Sequence, residues 1–197
     1  MATTPRNDSD VPYETVSGTK IATRGDELEV MLPDTRGVTV SRFGKGNLKL
    51  GPNVVTYSRL PGKPLPHGGT CPGATAECIS ICYAFAINDG SPVWDVYKRN
   101  SDTSLVPDIP QGTKLLRWHV SGDFDTPGYI KQWMFQCESN PQTKFWGYTR
   151  AWRVPELLPF IEELRAMPNV QLFASMDTSD DLLPPEGTDT GDRVRYW

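Results

Sequence analysis

The chain has 197 residues, with 20 basic against 24 acidic side chains and a formal net charge of -4. That length suits one domain with a decorated terminus and a core of useful size, while the negative balance disfavours general nucleic-acid binding. The apolar run Ile81 to Ile87 falls far short of the ~20 residues a membrane helix needs, and the N-terminus lacks the apolar stretch of a signal peptide. A cytoplasmic location with no membrane partner is therefore expected, and there clustered cysteines read as ligands in preference to disulfides.

Residues 1–52 read as a polar tail followed by a β-rich extension, with short strand-like runs at Thr15-Val16, Glu29 to Leu32, Gly37 to Val40 and Leu48 to Leu50. Residues 53–197 have a different rhythm. Asn53 to Ser58 predicts a strand, and a Pro/Gly-rich loop with three cysteines follows it. Ser80 to about Arg99 is mainly helical, with a break at Asn88 to Pro92. Lys114 to Ser121 is the clearest strand, stopped by Gly122-Asp123. Thr126 caps a helix with Pro127 at its first position, and Tyr129, Ile130, Trp133, Met134 and Cys137 fall at helical spacing. Lys144 to Thr149 is a strand, Pro155 to Met167 an amphipathic helix, and Val170 to Ser175 a further strand. The tail ends in a short candidate strand at Val194 to Tyr196. Strands and helices alternating at this spacing imply parallel strands joined by right-handed crossovers. Four or five such units are too few to close an eight-stranded barrel, so the expected fold is α/β, an incomplete parallel β/α barrel.

The chemistry concentrates in Cys71-Pro-Gly-Ala-Thr-Ala-Glu-Cys78-Ile-Ser-Ile-Cys82, a C-x6-C-x3-C pattern holding three of the chain's four cysteines. Cys78 and Cys82 share one face if a helix begins there, and the pattern suits a metal or an iron–sulfur cluster. His67 lies four residues before Cys71, so a Cys3His zinc site that staples the loop is an alternative that spacing does not decide. Cys137 is a further candidate ligand, although its helical neighbours place it in the core. In parallel α/β folds the functional groups gather at the carboxyl ends of the strands. Those ends bring together Ser121, Gly122 and Asp123, then Tyr148, Thr149 and Arg150, then Ser175 and Asp177. Arg117, His119 and Ser121 alternate with apolar residues, which predicts one polar strand face. Arg150 and Asp177 also read as an internal ion pair across the mouth.

A cysteine loop after the first strand and Ser121-Gly122-Asp123 closing the second resemble a shortened radical SAM domain. That resemblance implies a [4Fe-4S] cluster on Cys71, Cys78 and Cys82, with S-adenosylmethionine as a further cofactor whose amino group would meet Ser121-Gly122-Asp123. The loop spacing is wider than that superfamily's C-x3-C-x2-C, and Ile81 stands where an aromatic residue is usual. Residues 53 to about 177, with CPGAT, CYA, HVSGDF and YTR, also resemble the phage gene product 88 family, which implies a phage origin and the host bacterial cytoplasm. The expected function is an iron–sulfur protein whose barrel is kept for a redox, regulatory or partner-binding role. An active radical SAM enzyme is the alternative, and the partner is a host or phage macromolecule or a small molecule at the barrel mouth.

Overall fold

A computed structural model describes residues 42–46, 50–51, 53–87 and 89–178. The strand-like runs expected between Thr15 and Val40, Leu48-Lys49 and the candidate strand at Val194 to Tyr196 lie outside the described residues. The described elements are strands β1 (Gly44–Lys45), β2 (Val54–Tyr57), β3 (Leu115–Trp118), β4 (Lys144–Thr149) and β5 (Val170–Ala174). Between them lie α1 (Pro64–His67), α2 (Ala76–Ser80), α3 (Pro92–Ser101), α4 (Pro127–Ser139) and α5 (Leu158–Arg165), with 3-10 turns at Tyr83–Ala86 and Ala151–Arg153.

The strands form one five-stranded sheet in the order β1-β2-β3-β4-β5. Strand β1 runs antiparallel to β2, whereas β2 to β5 are parallel neighbours. The fold is thus mixed α/β with a mostly parallel sheet, and no barrel closure occurs among the described residues. Because each strand is laid beside its predecessor in one direction, right-handed crossovers put the connecting helices on the same face.

The packing agrees. Tyr57, Leu116, Trp118, Phe145 and Leu172 meet Tyr129, Ile130, Trp133 and Cys137 of α4 and Ile161 and Leu164 of α5. Trp118 is the hub of this layer. It stacks on Phe145 at 5.3 Å between ring centroids and meets Trp133 edge-on at 5.4 Å, contacts each worth about 0.5–1.5 kcal/mol beyond burial. The register assigns the alternate positions to the other face: Thr56 beside Arg117, Arg117 beside Trp146, Trp146 beside Gln171 and Tyr148 beside Phe173.

The local signals explain most elements. Thr126 caps α4 by accepting from the Tyr129 N–H at 3.2 Å, with Pro127 at the first helical position. Ser91 caps α3 in the same way through the Trp94 N–H at 3.2 Å, again before a proline.

Three expectations differ. Ser80 to Arg99, expected to be mainly helical, holds only the last residue of α2, a 3-10 turn at Tyr83–Ala86 and then α3 from Pro92. The helix predicted from Pro155 begins at Leu158, because a 3-10 turn and a following turn occupy the preceding residues. The strand predicted to reach Ser121 ends at Trp118, because His119 takes a left-handed backbone with φ 40°. That turn directs the His119 ring towards the helices, where its Nε2 lies 2.9 Å from the Tyr129 hydroxyl and its plane meets Phe124 edge-on. The expected polar row Arg117, His119, Ser121 is therefore split between two environments.

Candidate functional site

At the carboxyl end of β2 the chain enters the cysteine loop, which the backbone itself braces. The Thr70 N–H and hydroxyl both donate to the Leu60 carbonyl, at 3.1 and 2.9 Å, and the Cys71 N–H donates to the Gly62 carbonyl at 2.8 Å. Thr75 caps α2 through the Cys78 N–H at 3.0 Å. The helix stops at Ser80, so Cys82 does not continue the face that carries Cys78; it sits in extended backbone at the start of the Tyr83–Ala86 turn. Gly73 is pressed against β4's exit: a Cβ there would stand 2.0 Å from the Arg150 carbonyl oxygen, so only glycine fits.

A closed polar circuit ties this loop to the other strand ends. The Thr70 hydroxyl accepts from the Asp123 N–H at 3.2 Å. The Asp123 carboxylate accepts from the Thr149 hydroxyl at 2.6 Å and from the Arg150 and Phe124 N–H groups at 2.7 and 2.8 Å. The Arg150 guanidinium pairs with Asp177 at 2.7 Å, and Asp177 accepts from the Thr75 hydroxyl at 2.5 Å. The circuit runs from the loop through the ends of β3, β4 and β5 and back to the loop. Ser175 joins it through its N–H, which donates to the Thr149 carbonyl at 2.8 Å, while its own carbonyl accepts from the Trp152 indole at 3.2 Å.

The three loop thiols are free, half-buried and within electrostatic reach of one another. Burial, then the Asp123 carboxylate and the Cys78 and Cys82 thiols, push the Cys71 thiol up. Burial also raises Cys78, opposed by Arg150 and reinforced by Cys82, Asp177 and Asp123. Burial raises the Asp123 carboxyl to about 6, outweighing its three hydrogen bonds and the Arg150 charge. His119 is held well below its ordinary value by burial and by the nearby Arg59 cation, so its imidazole is neutral.

The residues singled out from sequence thus separate into groups. Cys71, Cys78, Cys82, Asp123, Arg150 and Asp177 come together. Asp123 serves as an internal bracket and Arg150 with Asp177 as the ion pair. Gly122 has φ 81°, and a Cβ there would stand 2.6 Å from the Thr70 hydroxyl. Ser121 is buried, its carbonyl accepts from the Arg59 N–H at 2.9 Å, and its hydroxyl has no hydrogen-bond partner. Tyr148 lies away from the circuit, stacked on Phe173. Cys137 lies in the helix-side core, where burial raises its thiol and the Asn169 amide binds its carbonyl at 3.0 Å. The side chain of His67 lies outside the described part of the structure.

Sequence reasoning missed Thr70, Thr75 and above all Arg59. The Arg59 side chain is buried, pairs with Asp125 at 2.6 Å, donates to the Asn100 carbonyl at 3.1 Å and lies 4.1 Å over the Tyr129 ring. An arginine at the mouth of a strand, just ahead of a ligand loop, was the available signal.

As a donor set, three free thiols on one loop suit a thiophilic metal or cluster. Among the described residues no three His, Cys, Asp or Glu side chains are already gathered at ligating distance, so the fit rests on the kind and closeness of the donors.

Together these features define a mixed α/β protein with a mostly parallel sheet and a three-cysteine loop locked to the sheet's carboxyl edge. The family described as Gene product 88 matches residues 41–196, and the chain belongs to that family. It is 28% identical over 137 residues to the Gene 88 protein of Mycobacterium phage L5, covering 59% of this chain and 56% of that protein. It is 26% identical over 137 residues to the Gene 88 protein of Mycobacterium phage D29, covering 59% and 55%. The chain therefore spans little more than half the length of these curated relatives. No solved structure matches it.

Proposed function

We propose that this is a phage-encoded iron–sulfur protein that holds one [4Fe-4S] cluster through Cys71, Cys78 and Cys82. The observation that carries the reading is the placement of three free, half-buried thiols on one braced loop at the carboxyl edge of a parallel sheet. When bound, such a cluster supplies one-electron chemistry or a redox-sensitive structural centre. The residues around it have distinct tasks. Thr75 and the Arg150–Asp177 pair anchor the loop, and Asp123 holds the exits of β3 and β4 in register with it.

The same circuit favours a redox, regulatory or partner-binding role over cleavage of S-adenosylmethionine. Both Asp123 oxygens are already engaged by donors of the protein, which leaves the Ser121-Gly122-Asp123 stretch acting as a bracket. A barrel of the radical SAM type belongs to this same reading.

Anaerobic purification, followed by an absorption spectrum with iron, sulfide and zinc analysis on one sample, tests it. About four irons and four sulfides per chain are expected. Serine at Cys71, Cys78 or Cys82 should abolish them, and Cys137→Ala should retain them. Stoichiometric zinc without sulfide would replace the cluster by a structural staple.

A further inference from the structure

Parallel sheets are ordinarily covered on both faces. Here α4 and α5 pack on one face; on the other, Tyr83 of the 3-10 turn lies within electrostatic reach of Arg117 at the β3 end and donates to the Val120 carbonyl, while Lys144, Tyr148 and Gln171 of β4 and β5 stay exposed. That second face carries an aromatic row on β4 and β5, continued onto β3 by Arg117. The Arg117 guanidinium lies 5.1 Å over the Trp146 ring, Trp146 meets Tyr148 at 6.3 Å, and Tyr148 stacks on Phe173 at 5.3 Å with an interplanar angle of 27°. Tyr148 is 38% exposed, and Lys144 on the same face is also exposed.

Within a chain of net charge -4, the positions of β2 to β5 on this face include two cations, Arg117 and Lys144, and no carboxylate. The Arg117 Nε is buried without a hydrogen-bond partner. Aromatic faces flanked by arginine and lysine, on a sheet surface free of acidic groups, match the stacking and charge demands of unpaired bases joined by phosphates. An apolar protein partner would not need the cations, and a duplex would not use the rings.

We propose that the sheet face around Trp146, Tyr148 and Phe173 binds single-stranded nucleic acid, with bases stacked on the rings and phosphates met by Arg117 and Lys144. Overall charge does not oppose this mode, because stacking carries much of the affinity and only two cations are called on. The proposal is independent of whether the cysteine loop holds a cluster.

Fluorescence anisotropy of short labelled oligonucleotides, titrated with the full chain as purified, tests it. Probes are oligo-dT, oligo-U and a duplex of equal length. Binding to one or both single strands is expected, with weaker binding to the duplex. Affinity for two phosphates should fall with salt at a log–log slope of about -1.4. Tyr148→Ala and Phe173→Ala should each weaken binding about 5- to 100-fold, and Lys144→Ala should lower the salt slope by about 0.7. Absence of binding, equal affinity for the duplex, or single-strand affinity unchanged by Tyr148→Ala would each overturn the proposal. Tyr148 is half-exposed, so its variant decides the question even if Phe173→Ala fails to fold.

Discussion

Thr149→Val isolates the polar circuit with almost no change of shape. The Thr149 hydroxyl is buried, donates to Asp123 at 2.6 Å and accepts from the Ala151 N–H at 2.9 Å. Valine leaves that N–H unsatisfied, at about 1–3 kcal/mol, and removes a hydrogen bond to a carboxylate, at about 1.5–3 kcal/mol. A loss of roughly 3–5 kcal/mol at pH 8 follows, a large share of a typical ~5–15 kcal/mol.

The loss should depend on pH. Asp123's folded value of about 6 lies above its ordinary 3.8, so its ionised form costs stability above pH 6, and that cost fades as pH falls towards 4. Removing the Thr149 donor raises the folded value further and enlarges the cost where Asp123 is ionised. At pH 5 Asp123 is mostly protonated, and the deficit should shrink to roughly 2–3 kcal/mol. Urea unfolding followed by tryptophan fluorescence, at pH 5 and pH 8 and matched metal content, measures both values. A deficit below about 1 kcal/mol at pH 8, or the same deficit at both pH values, would refute the assignment of Asp123 as the ionised hub.

Arg59→Met should destabilise by about 3–5 kcal/mol in chemical denaturation, because it leaves Asp125 and two backbone carbonyls without their buried cation. His119 has its folded pKa below the unfolded value of about 6.5. The unfolded chain therefore takes up the proton first, and stability declines as pH falls through that value. His119→Asn tolerates the left-handed backbone and should flatten the decline between about pH 6.5 and 5 in pH-resolved melts. Gly73→Ala sets a Cβ 2.0 Å from the Arg150 carbonyl oxygen. It should cost about 3 kcal/mol or more and, by displacing the loop from β4, lower the occupancy of the proposed cluster, read by melting and metal analysis together.

The parallel strands and their helices were legible because the governing signals are local. Alternation along Lys144 to Thr149, the Thr126-Pro127 cap and the apolar spacing of α4 each act within a few residues. Strand β1 was not legible: Gly44-Lys45 has no β-type pattern and is held by pairing with Val55 and Thr56. The turn at His119 escaped for a related reason, since nothing in Trp118-His119-Val120 signals a left-handed histidine held by Tyr129 and Phe124.

By itself, the sequence determined the α/β alternation, the grouping of three thiols on one Pro/Gly-rich loop and the arrival of polar residues at the strand ends. These are properties of spacing along the chain. Only the tertiary structure decided what those residues do to one another. It bound Asp123 to Thr149 and Arg150. It also closed the Arg150–Asp177–Thr75 link across about a hundred residues of sequence, and collected Trp146, Tyr148 and Phe173 on one sheet face. Such contacts depend on the register of four parallel strands, and that register is set by long-range packing that no local pattern encodes.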